Sequence, residues 1–414
     1  MKLLIKNIKG LVGAREEAPS ILKGADMKDL PIVEDAWLAV EDGVIADFGK
    51  MEDWPGISDW RDLEVIEADG QFILPGFVDS HTHIVYAANR EGEFVDRIKG
   101  LTYAEIAEKG GGILNSARKL AEASEDDLFE AAFARAEGLI RMGTTALEVK
   151  SGYGLSMEAE LKMLRVIRRL EEALPIPVRS TFLGMHAIPM EYKSNPEAYI
   201  DLVINEMLPA VAEEKLADYV DAFLEDGYFS AEQTVRLIEA ADKFGLDAKI
   251  HVNQFTATGG VRACAEAGAL TLDHLEELTD DDVQAMLQYD TIPVALPSCS
   301  FFLSIPYTPA RQIIDAGLPL VLATDYNPGS TPNGNMSLVV AMACIKMNML
   351  PEEAINAATL NAAAALQLSE VTGSITPGMR ADFILTKPMS SINYLPYSFG
   401  EQLVDEVFVA GKRW

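Results

Sequence analysis

The chain contains five histidines, His81, His83, His186, His251 and His274. A lone histidine is more often a hydrogen-bonded core or surface residue than a metal ligand. Here, however, all five fall at or just past the end of an apolar run that reads as a strand. His81-Thr82-His83 is the sharpest feature. On an extended backbone residues i and i+2 point the same way, so two imidazoles can share one ion, and Zn2+ and Fe2+ both accept such ligands. His251, after Ala248-Lys249-Ile250, offers a third nitrogen. Asp325, after Ala323-Thr324, offers a carboxylate that can ligate through one oxygen and orient water with the other. Three nitrogens and one oxygen leave room for a water, whose pKa the metal lowers to give a nucleophile near neutral pH. His274, in Leu272-Asp273-His274-Leu275, is then the base left to move protons. A fifth ligand or a structural hydrogen-bonder are its alternative roles.

Such residues need a scaffold that brings them to one face. Eight apolar runs supply it: 72–79, 144–149, 180–183, 219–224, 248–251, 271–274, 291–296 and 320–324. They are continuous rather than alternating, as expected of parallel strands covered by helices. Helix signals separate them. Ser124 with Asp127 opens one helix, and Ser230 with Gln233 forms a capping box before Leu237, Ile238, Ala241 and Phe244, expected as a buried stripe. The fold class is α/β, a (β/α)8 TIM-type barrel over residues 73–369, whose chemistry sits at the C-terminal strand ends. No G-x-G-x-x-G turn follows a strand, which disfavours a dinucleotide-binding open sheet. Short strand-like runs in 1–72 and 370–414 predict one composite β-sandwich domain built from both ends of the chain.

The formal net charge is −30 over 414 residues. That argues against nucleic acid and anionic membranes as partners, since both need basic patches. It also makes any arginine near the chemistry notable, because an anionic substrate needs a local cation. No uncharged apolar stretch approaches the ~20 residues that span a bilayer, and the apolar run at Met1–Lys6 is too short for a signal segment. Cys264, Cys299 and Cys344 are far apart and in apolar surroundings. They are expected as buried thiols in a reducing cytoplasm.

The stretch from Phe72 through Leu74-Pro75-Gly76-Phe77-Val78-Asp79-Ser80 to His81-Thr82-His83 resembles the opening strand of the metal-dependent amidohydrolase superfamily. Within it the chain is similar over nearly its full length to the imidazolonepropionase family. The carrying blocks are Asn89-Arg90-Glu91, Lys109-Gly110-Gly111-Gly112-Ile113, Glu148 to Leu155, His186 to Pro189, Asp273-His274-Leu275 and Thr324 to Ser330. The resemblance implies hydrolytic ring opening of 4-imidazolone-5-propanoate to N-formimidoyl-L-glutamate in histidine degradation, one divalent metal (Zn2+ or Fe2+) and a homodimer. It implies that His81, His83, His251 and Asp325 bind the metal and that His274 helps activate the water. Arg90, Tyr103, Tyr153 and His186 would contact substrate, with Asn327, Gly329 and Ser330 lining the same pocket. The chemistry agrees: the carboxylate tail needs a planar cation, which Arg90 supplies, and tyrosines offer hydroxyl donors and flat faces. Lys109 and the three glycines after it read as a loop near the pocket.

One departure stands out. The family pattern has Asp and Glu after strand five, where this chain has Asn253 and Gln254. Gln254 can orient a water but cannot accept its proton. His274 is the expected substitute. Another cyclic amidohydrolase or deaminase acting on a small carboxylated ring, or a metal-holding barrel that binds without turnover, are the alternative readings.

Overall fold

The computed structural model describes residues 2–57, 61–101, 105, 109 and 111–414. The N-terminal segment supplies strands β1 (Lys2–Val12), β2 (Ile32–Glu41), β3 (Val44–Lys50), β4 (Leu63–Glu67) and β5 (Phe72–Pro75). The middle of the chain supplies β6 (Phe77–Asp79), β7 (Thr144–Lys150), β8 (Val178–Met185), β9 (Tyr219–Leu224), β10 (Asp247–Val252), β11 (Thr271–His274), β12 (Ile292–Ala295) and β13 (Val321–Leu322). The C-terminal segment adds β14 (Phe383–Thr386), β15 (Val404–Val409) and β16 (Lys412–Arg413).

β6 to β13 lie side by side in chain order, all parallel, with helices between them. The sheet closes on itself beyond its last ladder. The Asp325 N–H donates to the His81 carbonyl at 3.0 Å and the His83 N–H to the Tyr326 carbonyl at 2.9 Å. Behind this seam, buried Asp79 accepts from the backbone N–H and hydroxyl of Thr324 at 3.0 and 2.6 Å. Burial pushes its carboxyl up to about 7. The eight expected strands and the barrel are thus present. The run expected as one strand over 72–79 is two, divided at Gly76, where a Cβ would meet the Thr145 side chain at 2.1 Å.

β5 belongs to a mixed sheet with β1 to β4 and β14 to β16. β1 pairs antiparallel with β2 and parallel with β5, and β14 joins β5 antiparallel. This sheet has its own core, including Leu3, Ile5, Ile8, Leu38, Ile73, Phe383 and Phe408. Both chain ends therefore build one unit, since neither has enough apolar surface to bury alone. We propose residues 1–72 with 370–414 and residues 73–369 as the two units, with β5 the strand that joins them.

The helix after β9 begins as expected: the Ser230 hydroxyl accepts from the Gln233 N–H, and the Gln233 side chain accepts from the Ser230 N–H. Leu237, Ile238 and Ala241 are buried, but Phe244 is 45% exposed. The helix ends at Asp242, so Phe244 falls past the last turn and off the apolar stripe. Cys264 and Cys299 are buried, whereas Cys344 is only partly so, and all three are free thiols. No helix among the described residues is long and apolar enough to cross a membrane.

Candidate active site

All five histidines meet at the C-terminal mouth of the barrel. His81 and His83 follow β6, on one side of an extended backbone, with Thr82 turned the other way to donate to the Glu148 carbonyl at 2.6 Å. His81 Nε2 lies 3.3 Å from His83 Nε2 and 3.1 Å from His251 Nε2. Asp325 Oδ1 lies 3.6 Å from His81 Nε2 and 3.4 Å from His83 Nε2. Two ligands of one tetrahedral zinc are about 3.3 Å apart. His274 comes to the same place, its ring centroid 5.2 Å from that of His251 and 5.9 Å from that of His81.

The tautomers test whether a cation fits. His81 Nδ1 donates to Asp273 Oδ2 at 2.6 Å, and His251 Nδ1 lies 2.8 Å from Asp221 Oδ2. Each proton is therefore on Nδ1, and two bare Nε2 lone pairs face one another at 3.1 Å. Only a cation between them makes that arrangement favourable, and carboxylates behind ligating histidines are the usual support. Burial, with positive neighbours, holds His81 well below the ordinary imidazole range, and burial brings His251 down to about 4. Both are neutral, as candidate cation ligands must be. Burial works against the Asp325 charge, but its contact with His83 outweighs burial and lowers its pKa.

Beneath the histidines and Asp325 lies a layer of buried charge. Lys150 Nζ contacts Glu148 Oε1 at 2.8 Å and Asp221 Oδ2 at 2.9 Å, and lies 3.8 Å from Asp273 Oδ2. Lys249 Nζ lies 3.2 Å from Glu148 Oε2. Burial opposes the charge on Lys150, but Asp221, Glu148 and Asp273 more than offset it. Burial likewise pushes Asp273 up, against the pull of Lys249 and Lys150. Thr271 donates to its other oxygen at 2.6 Å.

Above these converging side chains is a cavity of about 210 Å³, lined by His83, His251, His274 and Asp325 on one side. Arg90, Tyr153, His186, Gln254, Asn327, Gly329 and Ser330 also line it, as does Ile113. Every described residue expected at the substrate thus reaches one pocket. Tyr103 lies outside the described residues, as does Gly110 of the expected loop. A Cβ at Gly329 would come 2.5 Å from Arg90 Nη1, so a larger residue there would push the guanidinium aside. The Asn327 amide is occupied within its own turn, donating to Asp325 Oδ1 at 3.0 Å and accepting from the Gly329 and Ser330 N–H groups at 2.8 Å. It holds Asp325 in its left-handed conformation, φ 55°. His186 Nδ1 donates to the Gly152 carbonyl at 2.9 Å, and burial brings its pKa down to about 3. It is neutral, with Nε2 left as an acceptor.

The amidohydrolase family pattern matches residues 72–413. The chain belongs to the amidohydrolase family. It is 57% identical over 412 residues to an imidazolonepropionase of Christiangramia forsetii and 56% identical over 412 residues to one of Flavobacterium johnsoniae, with 100% of both chains covered in each case. Its fold is also that of a guanine deaminase from E. coli, with a TM-score of 0.74 at 14% identity, covering 100% of this chain and 98% of that one. Amidohydrolases use a divalent metal, and the converging histidines and Asp325 are a donor set for one.

In this amidohydrolase the two amides after His251 part company. Asn253 turns away from the pocket and donates to the Glu277 carbonyl at 2.8 Å and to Asp282 Oδ2 at 3.1 Å. Gln254 turns in, its Nε2 donating to Cys299 Sγ at 3.3 Å. His274 Nδ1 lies 3.2 Å from Glu276 Oε1. Burial opposes its protonation, but Glu276 outweighs burial and raises its pKa. Sequence reasoning missed Glu93 and Arg97. Glu93 Oε2 accepts from Arg90 Nε at 2.8 Å and from Nη2 at 2.5 Å, which leaves Nη1 on the Gly329 side. Arg97 Nη2 donates to the Gly329 carbonyl at 2.8 Å, and its guanidinium also lines the pocket.

Proposed function

We propose that the chain catalyses the hydrolytic ring opening of 4-imidazolone-5-propanoate to N-formimidoyl-L-glutamate in histidine degradation. The observation that carries this reading is one small pocket with a metal-ligand set at its floor and two arginines, Arg90 and Arg97, in its wall. A five-membered cyclic amide with a carboxylate tail needs both. A purine without a carboxylate would leave the arginines facing nothing, which disfavours the deaminase reading. The full-length similarity to imidazolonepropionases supports the same substrate.

Under this reading His81, His83, His251 and Asp325 hold one Zn2+ or Fe2+. A cation there supplies charge that polarises the ring carbonyl and acidifies a water. Arg90, fixed by Glu93, meets the tail carboxylate, with Arg97 adding to the local positive field. Tyr153, kept protonated by burial, offers a hydroxyl donor, and neutral His186 accepts a ring N–H at Nε2. The water oxygen bonds to the ring carbonyl carbon and the ring C–N bond breaks. His274 takes the proton from the water and delivers one to the departing nitrogen, with Glu276 stabilising the imidazolium between the two transfers. Asp325 orients the water with its second oxygen. Gln254 can hold the water in line but takes no proton from it.

Metal-loaded protein should consume imidazolonepropanoate, read as loss of its ultraviolet absorbance. No turnover by fully loaded protein would sink the proposal, and tight binding without turnover would favour a ligand-holding barrel. Metal analysis of the purified protein decides between zinc and iron. A homodimer in the cytoplasm belongs to the same reading. Tyr397 and Phe399, 78% and 67% exposed, offer apolar surface for a second copy, and sedimentation gives the mass.

A further inference from the structure

We propose a second cation site next to the first, formed by His274, Glu276 and Cys299, that takes a thiophilic divalent ion such as zinc in excess. His274 closes β11, Glu276 follows two residues on, and Cys299 lies on helix Pro297–Leu303 after β12. Each contributes one donor atom, and the three atoms lie within 4.8 Å of one another. All three residues are buried. His274 Nδ1 and Glu276 Oε1 are 3.2 Å apart, close to the roughly 3.3 Å between two ligands of one tetrahedral zinc, while the longer ~2.3 Å zinc–sulfur bond suits a thiol set farther back.

Glu276 gives the second, independent observation. Its Oε1 accepts from the Ser300 hydroxyl at 3.2 Å, but its buried Oε2 has no hydrogen-bond partner. A buried carboxyl oxygen left without a partner is costly. A cation at this point removes the cost. Coordination releases the thiol proton to solvent and leaves sulfur as the soft donor. The site differs in chemistry from the first, which has no sulfur.

Binding here stands apart from the proposed reaction, but its consequence rests on that reading. An ion on His274 Nδ1 takes the nitrogen that Glu276 now supports and stops the ring from passing protons, so excess metal inhibits.

Cobalt(II) tests the site directly, because a sulfur-to-cobalt charge-transfer band reports a thiolate ligand. With one equivalent of Co2+ the protein should show no such band. A second equivalent should produce it, in the wild type and in Cys344→Ser, but not in Cys299→Ser. Glu276→Gln should weaken the second equivalent by at least about tenfold. No band at two equivalents in the wild type, or an unchanged band in a Cys299→Ser protein that melts normally, overturns the proposal. Should the band grow while turnover stays constant, the site stands and the proton-carrying role of His274 falls instead.

Discussion

Lys150 Nζ lies 2.9 Å from Asp221 Oδ2, the same oxygen that lies 2.8 Å from His251 Nδ1. The lysine is fully buried and also reaches toward Asp273, which accepts from His81. One ammonium thus supports the carboxylates behind two of the histidines at the floor of the pocket. Lys150→Met would leave those carboxylates without their counter-charge. Metal affinity should fall about 10- to 100-fold, the usual effect of removing support behind a ligand. Metal content after dialysis against a mild chelator measures it. Wild-type metal retention in the variant would show that the lysine serves only folding.

His274 and Gln254 should separate in kinetics. His274→Asn removes the proposed proton carrier and should lower turnover about 10²- to 10⁴-fold with metal still bound. Gln254→Ala removes one neutral hydrogen-bonding group and should cost no more than about tenfold. Equal losses in the two variants would mean that the amide position matters as much as the imidazole.

Arg90→Met should raise KM for the carboxylated substrate and lower kcat/KM about 10- to 150-fold, the equivalent of about 1.5–3 kcal/mol for a charged hydrogen bond. Arg90→Lys should recover little, because an ammonium cannot present the planar fork that Glu93 aligns. A substrate analogue lacking the carboxylate should be indifferent to both changes.

Asp382 gives a pH dependence of stability. It is almost wholly buried, and burial, only partly countered by Arg380, raises its pKa to about 6 from 3.8. The folded state holds this proton more tightly than the unfolded one. The resulting stabilisation is full below about pH 4 and is lost as pH rises through about 6. The melting temperature of wild type relative to Asp382→Asn should therefore fall between those values. A flat difference would show that Asp382 is ionised in the fold throughout.

The barrel was legible because its strands are unbroken apolar runs and because five histidines mark their ends. The pairing of His81 with His83 followed from i, i+2 geometry, and His251 and Asp325 from their places at strand ends. The layer beneath was not read, although its signal is present. Glu148 and Lys150, Lys249 and His251, and Thr271 and Asp273 each stand two apart on one strand, which turns both members of a pair into the barrel. Arg97 and Glu93 left no such trace. They lie on helix Glu91–Ile98, where charged residues are ordinarily a solvated face, and only packing against the Gly329 turn brings them to the pocket. Asn253 and Gln254 were indistinguishable as amides. Only the positive φ of Asn253 sends them to opposite sides.

The barrel seam joins Asp79 to Thr324 across 245 positions, and the residues on either side of it are His81, His83 and Asp325. The chain is synthesised from its N-terminus, so the two histidines emerge long before the aspartate that completes their set. A nascent or truncated chain ending before β13 has all five imidazoles but lacks the Asp325 carboxylate and the seam that closes the mouth. The full donor arrangement at the mouth therefore depends on the final parallel strand docking beside the first, so the last barrel strand to be made is also the one that completes the pocket floor.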